Sequence, residues 1–571
     1  MKTDLVIINA QVFNSFIRKF ESKNVAIRGE KFYYITPEEL TYLAAEKTID
    51  AKGRYMIPGL IDSHMHIESS MTIPSIFSKA ALYHGVTTIV ADSHEVANVF
   101  GIEGVEAFLK EETELDIFYA IPSSVPSTNP DLETTGGIIG LNEVRELLAS
   151  PKVMCLGEVM NFKDIVSDPD SLINQIIALC KELRPNMPIE GHVPKIWEED
   201  LANFIYHGIT ADHTHQSPES IYTKICNGMF IEMQGKSITK ENIETIVKHS
   251  FYEYVALITD DVMADDLLTG HLNGIVKKAI DCGMPVEEAI YTSTYTPARR
   301  MGFQDRGAIV PGHMADFILL DDVTEFSINQ VYKSGKLVHT KGEPIKTPEK
   351  TEAFPAEFFH SVQCEKADLE RFRIPVTTEK DAVLCNVIQI QQVGTFTECV
   401  ERAIPVKDGY LDWESTDLAL LVVMERYGIN GNIAYALVEN TITNKGAIAT
   451  TWAHDHHNLM VMGTDAADMQ VAQHHIIDLQ GGYVVVENEA TTATCPLPLG
   501  GILSIAPLEE LGKQLEEVRQ AMVRLGYVNT NEIMSFSTLS LPVSPAIKIT
   551  DVGMMNTRTQ ERIPLVKQES L

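Results

Sequence analysis

The feature that most constrains this chain is a repeat of texture rather than of sequence. From Pro58 onward, eight short apolar runs alternate with helix-like stretches. The runs are "YMIPGLIDSHMH", "GVTTIVAD", "DIFYAIPSS", "KVMCLGEVM", "MPIEGHV", "GITADH", "GMFIEMQ" and "YVALITDD". Stretches such as "IPSIFSKAALYHG" and "DSLINQIIALCKEL" separate them. Nearly continuous apolar strands suit a parallel sheet covered on both faces. Eight strand–helix units in succession predict an α/β fold, a (β/α)8 TIM-like barrel. Polar residues gather at the C-terminal ends of the runs, the face on which such barrels build their sites.

The flanks are organised differently. Residues 1–57 read as short strands parted by turns, and "INQVYKSGKLVHTKGEP" supplies another strand pair after the barrel. We expect one composite β module from 1–57 and 301–345, flanking a barrel over 58–300. A Pro- and charge-rich stretch over 346–380 reads as linker. Residues 381–571 read as a separate C-terminal α/β or α+β domain. Several domains suit a chain of 571 residues.

The net charge of −33 argues against a nucleic-acid backbone or an anionic membrane as partner. It leaves a small-molecule substrate open. No apolar run approaches the ~18 residues that span a bilayer. "MKTDLVIINAQVFNS" reads as a strand and is too short and wrongly flanked for a signal peptide. Eight cysteines without paired spacing suit a reducing compartment, and cytoplasm is the expectation.

The polar strand ends form a set. The first offers His64 and His66, the fourth Glu158, the fifth His192, the sixth His213, the eighth Asp260 and Asp261. Side chains alternate along a strand, so His64 and His66 share one side. Four imidazoles with carboxylates converging on the barrel mouth suit one or two divalent transition ions. Glu158 is placed to bridge two. Such a pair of ions, ~3.5–4 Å apart, lowers the pKa of a shared water toward neutrality.

At this point the chain resembles the amidohydrolase superfamily, and more narrowly its bacterial adenine deaminase branch. The resemblance rests on "PGLIDSHMHIESSM", "HGVTTIVADSHEVANVFGIEG", "GEVMNF", "DRGAIVPGHMADFILLDD" and "GAIATTWAHDHHN", and covers nearly the full length. It implies that His64, His66 and Asp260 hold one ion and His192 and His213 the other, bridged by Glu158 where most relatives use a carboxylated lysine. The ions would be manganese or iron, with zinc as the outside choice. The implied reaction is hydrolysis of adenine to hypoxanthine and ammonia by metal-activated hydroxide, a step of purine salvage or catabolism. The chain departs from the branch at Ser93, at Val193 and Lys195, at Thr214-His215 and over Val262–Ala264. These positions surround the expected substrate and spare the expected ligands. Two alternatives therefore stand beside adenine: an amidohydrolase acting on another amino-heterocycle or a cyclic amide, and a scaffold without chemistry. A homo-oligomer is expected.

Deamination also needs proton carriers. Asp260 could take the proton of the attacking water and pass it to the departing ammonia. Glu95, Asp92 and His94 are candidates to protonate the ring nitrogen, and Asp92 could instead cap the next helix. Glu68 could line the pocket or cap the helix after it. The cluster "HDHHN", residues 454–458, could be a third metal site, a solvated turn, or a lid bringing His454 or Asp455 to the substrate.

Overall fold

The computed structural model describes residues 2–348 and 354–567. Residues 349–353 of the expected linker, and 568–571 of the expected last domain, lie outside the described residues. The eight apolar runs form eight parallel strands: β1 (Leu60–His66), β2 (Val86–Asp92), β3 (Asp116–Ile121), β4 (Val153–Val159), β5 (Ile189–Gly191), β6 (Ala211–Asp212), β7 (Phe230–Met233) and β8 (Val255–Leu257). β1 through β5 are hydrogen-bonded in order, and β6, β7 and β8 likewise. Two joints close the ring. The Thr210 amide donates to the Ile189 carbonyl at 2.9 Å, linking β5 to the approach of β6. Beyond β8, Asp260 and Asp261 pair in parallel with Met65 and His66 of β1. Every residue of β1 and β2 is buried, as strands covered on both faces require.

An eight-stranded sheet flanks the barrel and draws on both sides of it. Tyr55–Pro58 runs parallel to Lys2–Asn14 on one side and antiparallel to Phe317–Asp322 on the other. The C-terminal part is α+β: a mixed nine-stranded sheet against which two helices, Ala466–Asp478 and Leu508–Arg524, pack. A smaller three-stranded sheet follows, from Ile547–Thr550, Gly553–Asn556 and Arg562–Ile563.

The barrel and the C-terminal part share one apolar core, running from Met65 and Phe77 to Trp452, Leu515 and Met554. Arg519 seals the joint by an ion pair to Asp265 at 2.6 Å. Residues 354–380, expected as linker, are packed rather than loose. Phe358 stacks on Phe100 at 3.7 Å between ring centres, and Phe372 is fully buried. The charges of this stretch face outward while its few aromatic and aliphatic side chains anchor it. Among the described residues no helix is long and apolar enough to cross a membrane.

Candidate active site

The strand ends converge as their alternation predicts. The His66 Nδ1 lies 2.9 Å from the Asp92 carbonyl. A carbonyl only accepts, so Nδ1 carries the hydrogen and Nε2 presents its lone pair. That lone pair faces two carboxylate oxygens, Asp260 Oδ1 at 3.3 Å and Glu158 Oε1 at 3.5 Å. His64 Nε2 stands 3.8 Å from the same Asp260 oxygen. The other oxygen of Glu158 faces a second pair of imidazoles, His192 Nδ1 at 2.7 Å and His213 Nε2 at 3.0 Å, themselves 2.9 Å apart. Donors ~2.1 Å from one ion lie roughly 3–3.5 Å from each other. These groups have that spacing, and His64 Nε2 and His213 Nδ1 are buried without a hydrogen-bond partner. The donor set fits divalent cations, with one carboxylate between two clusters.

Glu158 is held from three sides. Its amide donates to Asp92 Oδ2 at 2.8 Å, and its carbonyl accepts from Ser123 and Ser124 hydroxyls at 2.7 and 3.2 Å. The residue before it has to be glycine: a Cβ on Gly157 would sit 2.1 Å from Asp92 Oδ2. Asp92 therefore acts behind the site. It does not line the cavity, and Ser93, not Asp92, is the N-cap of the next helix, α1 (His94–Phe100). The corner that carries His213 is braced by a buried ion pair, Asp212 with Lys224 at 2.7 Å. Asp212 also accepts the Val193 amide at 3.0 Å, tying β6 to the turn after His192.

The remaining expected residues divide. Glu68 also stays out of the cavity; its Oε1 accepts the Val96 amide at 3.2 Å, serving the first turn of α1 rather than the helix that follows it in sequence. Burial raises the Glu68 carboxyl to about 7. His94, Glu95, Asp260, Asp261, His454 and Asp455 all line the cavity. Asp261 accepts the Ser69 hydroxyl at 2.5 Å.

The cluster "HDHHN" is no solvated turn. His454 through Asn458 are each 5% exposed or less. Two of its imidazoles grip Glu95, His454 Nδ1 on one oxygen and His457 Nε2 on the other. The Ala453 amide donates to His457 Nδ1 at 3.1 Å, so the hydrogen of that ring is on Nε2 and is given to Glu95. Burial opposes ionisation of Glu95, but His454, His457 and His94 outweigh it and hold the carboxyl well below the usual range. Arg426, fully buried, fixes the loop by donating to the His457 and Gly500 carbonyls and to Ser361.

Sequence reasoning missed the roof. Thr395, Phe396, Met534, Leu541, Ser544 and Pro545 of the C-terminal part close the cavity over the barrel mouth, with His215 and Lys236 at its side. The roof residues come from three separate segments without a shared motif, so no local pattern marks them.

Comparison with known proteins agrees with this geometry. Residues 55–338 match the model of the amidohydrolase family, and residues 394–561 that of the adenine deaminase C-terminal domain. The chain is 53% identical over 566 residues to adenine deaminase 2 of Oenococcus oeni, covering 99% of each. It is 51% identical to adenine deaminase of Lactobacillus delbrueckii subsp. bulgaricus, again covering 99% of each. With adenine deaminase of Clostridium perfringens it shares 52% over 570 residues, 99% of this chain and 100% of the relative. Full-length likeness at this level places the chain in the adenine deaminase family of the amidohydrolases.

Proposed function

We propose that this protein hydrolyses adenine to hypoxanthine and ammonia, with two divalent cations held by His64, His66 and Asp260 on one side and by His192 and His213 on the other. The observation that carries the reading is the division of Glu158, whose two oxygens each face a separate imidazole set. Manganese or iron suits donors that are imidazole nitrogens and carboxylate oxygens without thiolate; zinc is the outside choice. Ions bound there supply Lewis acidity and bring the pKa of a water toward neutrality.

The chain's own residues do the rest. Asp260 reaches the cavity from the end of β8 and takes the proton of the attacking water. It passes that proton to the amino group as ammonia departs, the two-step use of one base that deamination requires. Met160, Phe396, Met534, Leu541 and Pro545 give the cavity apolar walls suited to a flat heterocycle. The eight cysteines are unpaired, which fits a reducing compartment, and we place the protein in the cytoplasm with a small molecule as its partner.

The test is ammonia release across aminopurines, aminopyrimidines and cyclic amides with manganese or iron supplied. We expect adenine to be the best substrate. Turnover of a cyclic amide with none of any amino-heterocycle would overturn the reading.

A further inference from the structure

Attack at the amino-bearing carbon pushes an electron pair onto the adjacent ring nitrogen, which must take a proton. Three other groups nearby are less well placed to give it. Glu95 receives an imidazole on each oxygen and stays an anion. His94 is wedged among four carboxylates: its Nδ1 faces Asp92 and Glu158 at 3.5 and 3.6 Å, its Nε2 faces Glu95 and Asp455 at 3.6 and 3.9 Å. Asp92 does not line the cavity, and its Oδ2 accepts the Glu158 amide.

His454 differs from all of them. Its Nδ1 is bound to Glu95, its ring lines the cavity, and its Nε2 is buried without a partner. Its backbone is clamped on both sides, the amide donating to Ser537 Oγ at 3.2 Å and the carbonyl accepting from Ser540 Oγ at 3.0 Å. Trp452 lies edge-on at 4.6 Å. The ring therefore has one nitrogen anchored to an acid and one without a partner in the protein.

We propose that His454, carried in from the C-terminal domain, is the catalytic acid that protonates the purine ring nitrogen beside the carbon under attack. This rests on adenine as substrate. The charged groups around it are Glu95 and His94 from α1, Asp455 and His457 from its own loop, and Asp261 from beyond β8. Burial works against a charge on His454, but Glu95 and Asp455 prevail and lift it to about 10.

The proton balance closes. Water oxygen bonds to the ring carbon as the carbon–nitrogen double bond gives its pair to the ring nitrogen, which takes the Nε2 proton of His454. Asp260 carries one water proton to the amino group, and the carbon–nitrogen bond to ammonia breaks as the carbonyl forms. The hydroxyl proton released in that collapse returns to His454 through solvent. The sum is adenine and water to hypoxanthine and ammonia.

The decisive experiment compares kcat/KM against pH for manganese-loaded wild type, His454→Gln and Glu95→Gln, with bound manganese counted in each. We expect His454→Gln to lose about 10²–10⁴-fold with its manganese retained, and to lose the basic limb of the profile. Glu95→Gln removes the anion that holds the proton on His454, so its basic limb should move to lower pH. A His454→Gln enzyme within threefold of wild type overturns the proposal, as does a basic limb that survives this substitution. Nitrogen-15 NMR of the His454 ring gives a second readout. Both nitrogens protonated at pH 8 supports the proposal, and a bare Nε2 overturns it whatever the substrate. A wild type that releases no ammonia from adenine sinks the substrate reading instead, and the NMR result still decides the state of His454.

Discussion

Glu158 has the most exacting position in the molecule, with both carboxylate oxygens and both backbone groups engaged at once. Glu158→Gln keeps the shape but gives one imidazole pair an amide NH2 in place of an oxygen. We expect it to lose ion occupancy together with rate, by more than the ~10–100-fold that loss of an outer partner brings. Full occupancy of both ions by elemental analysis would remove the bridging role. Asp260→Asn tests a different function. It should lose about 10²–10⁴-fold in turnover with a smaller effect on metal content, and wild-type turnover would eliminate it as the proton carrier. The convergence of the proposed ligands was legible in the sequence because each stands at the end of an apolar run, where strand periodicity fixes its direction. Asp92 and Glu68 were left between pocket and cap because the same ends also carry carboxylates that brace backbone amides. Spacing alone does not separate the two duties. The grip of His454 and His457 on Glu95 was invisible, since it joins residues about 360 positions apart.

At the scale of elements, the loops that roof the cavity depend on strands behind them. Lys548 of the strand Ile547–Thr550 is fully buried and donates to the Thr395 carbonyl at 2.7 Å, next to Phe396 in the roof. Burial lowers its ammonium from 10.5 to about 7. The folded chain then gives up this proton near pH 7 while the unfolded chain keeps it to about 10.5, so unfolding takes up a proton between these values. Stability from this group rises with pH across that window and is lost as pH falls through 7, at about 1.4 kcal/mol per pH unit. We expect wild type to gain about 2–3 kcal/mol in unfolding free energy relative to Lys548→Met from pH 7.5 to 9.5. A constant difference would show that the amine keeps its proton. The eight barrel strands and their order could be read from sequence because apolar runs and helical stretches alternate regularly. The packing of residues 354–380 could not, because anchors such as Phe358 and Phe372 are few among charges.

At the scale of the whole molecule, one apolar core joins the barrel to the C-terminal part, and the proposed metal ligands lie at the seam between the two. The core does not pass through the ligands, so removing the ions should disable the enzyme without unfolding it. Treatment with a strong chelator is expected to abolish ammonia release while far-ultraviolet dichroism stays unchanged, and manganese should restore activity. Collapse of the dichroism on chelation would mean that the ions hold the fold. The flanking sheet has a consequence of another kind, in time. Tyr55–Pro58 must wait for Phe317–Asp322, roughly 260 residues later in synthesis, which at about 5–20 residues per second is some 13–50 s. All six proposed ligands, His64 through Asp260, leave the ribosome before the loop that bears His454 and His457. During synthesis the barrel mouth stands open to ions until the last third of the chain arrives to cover it.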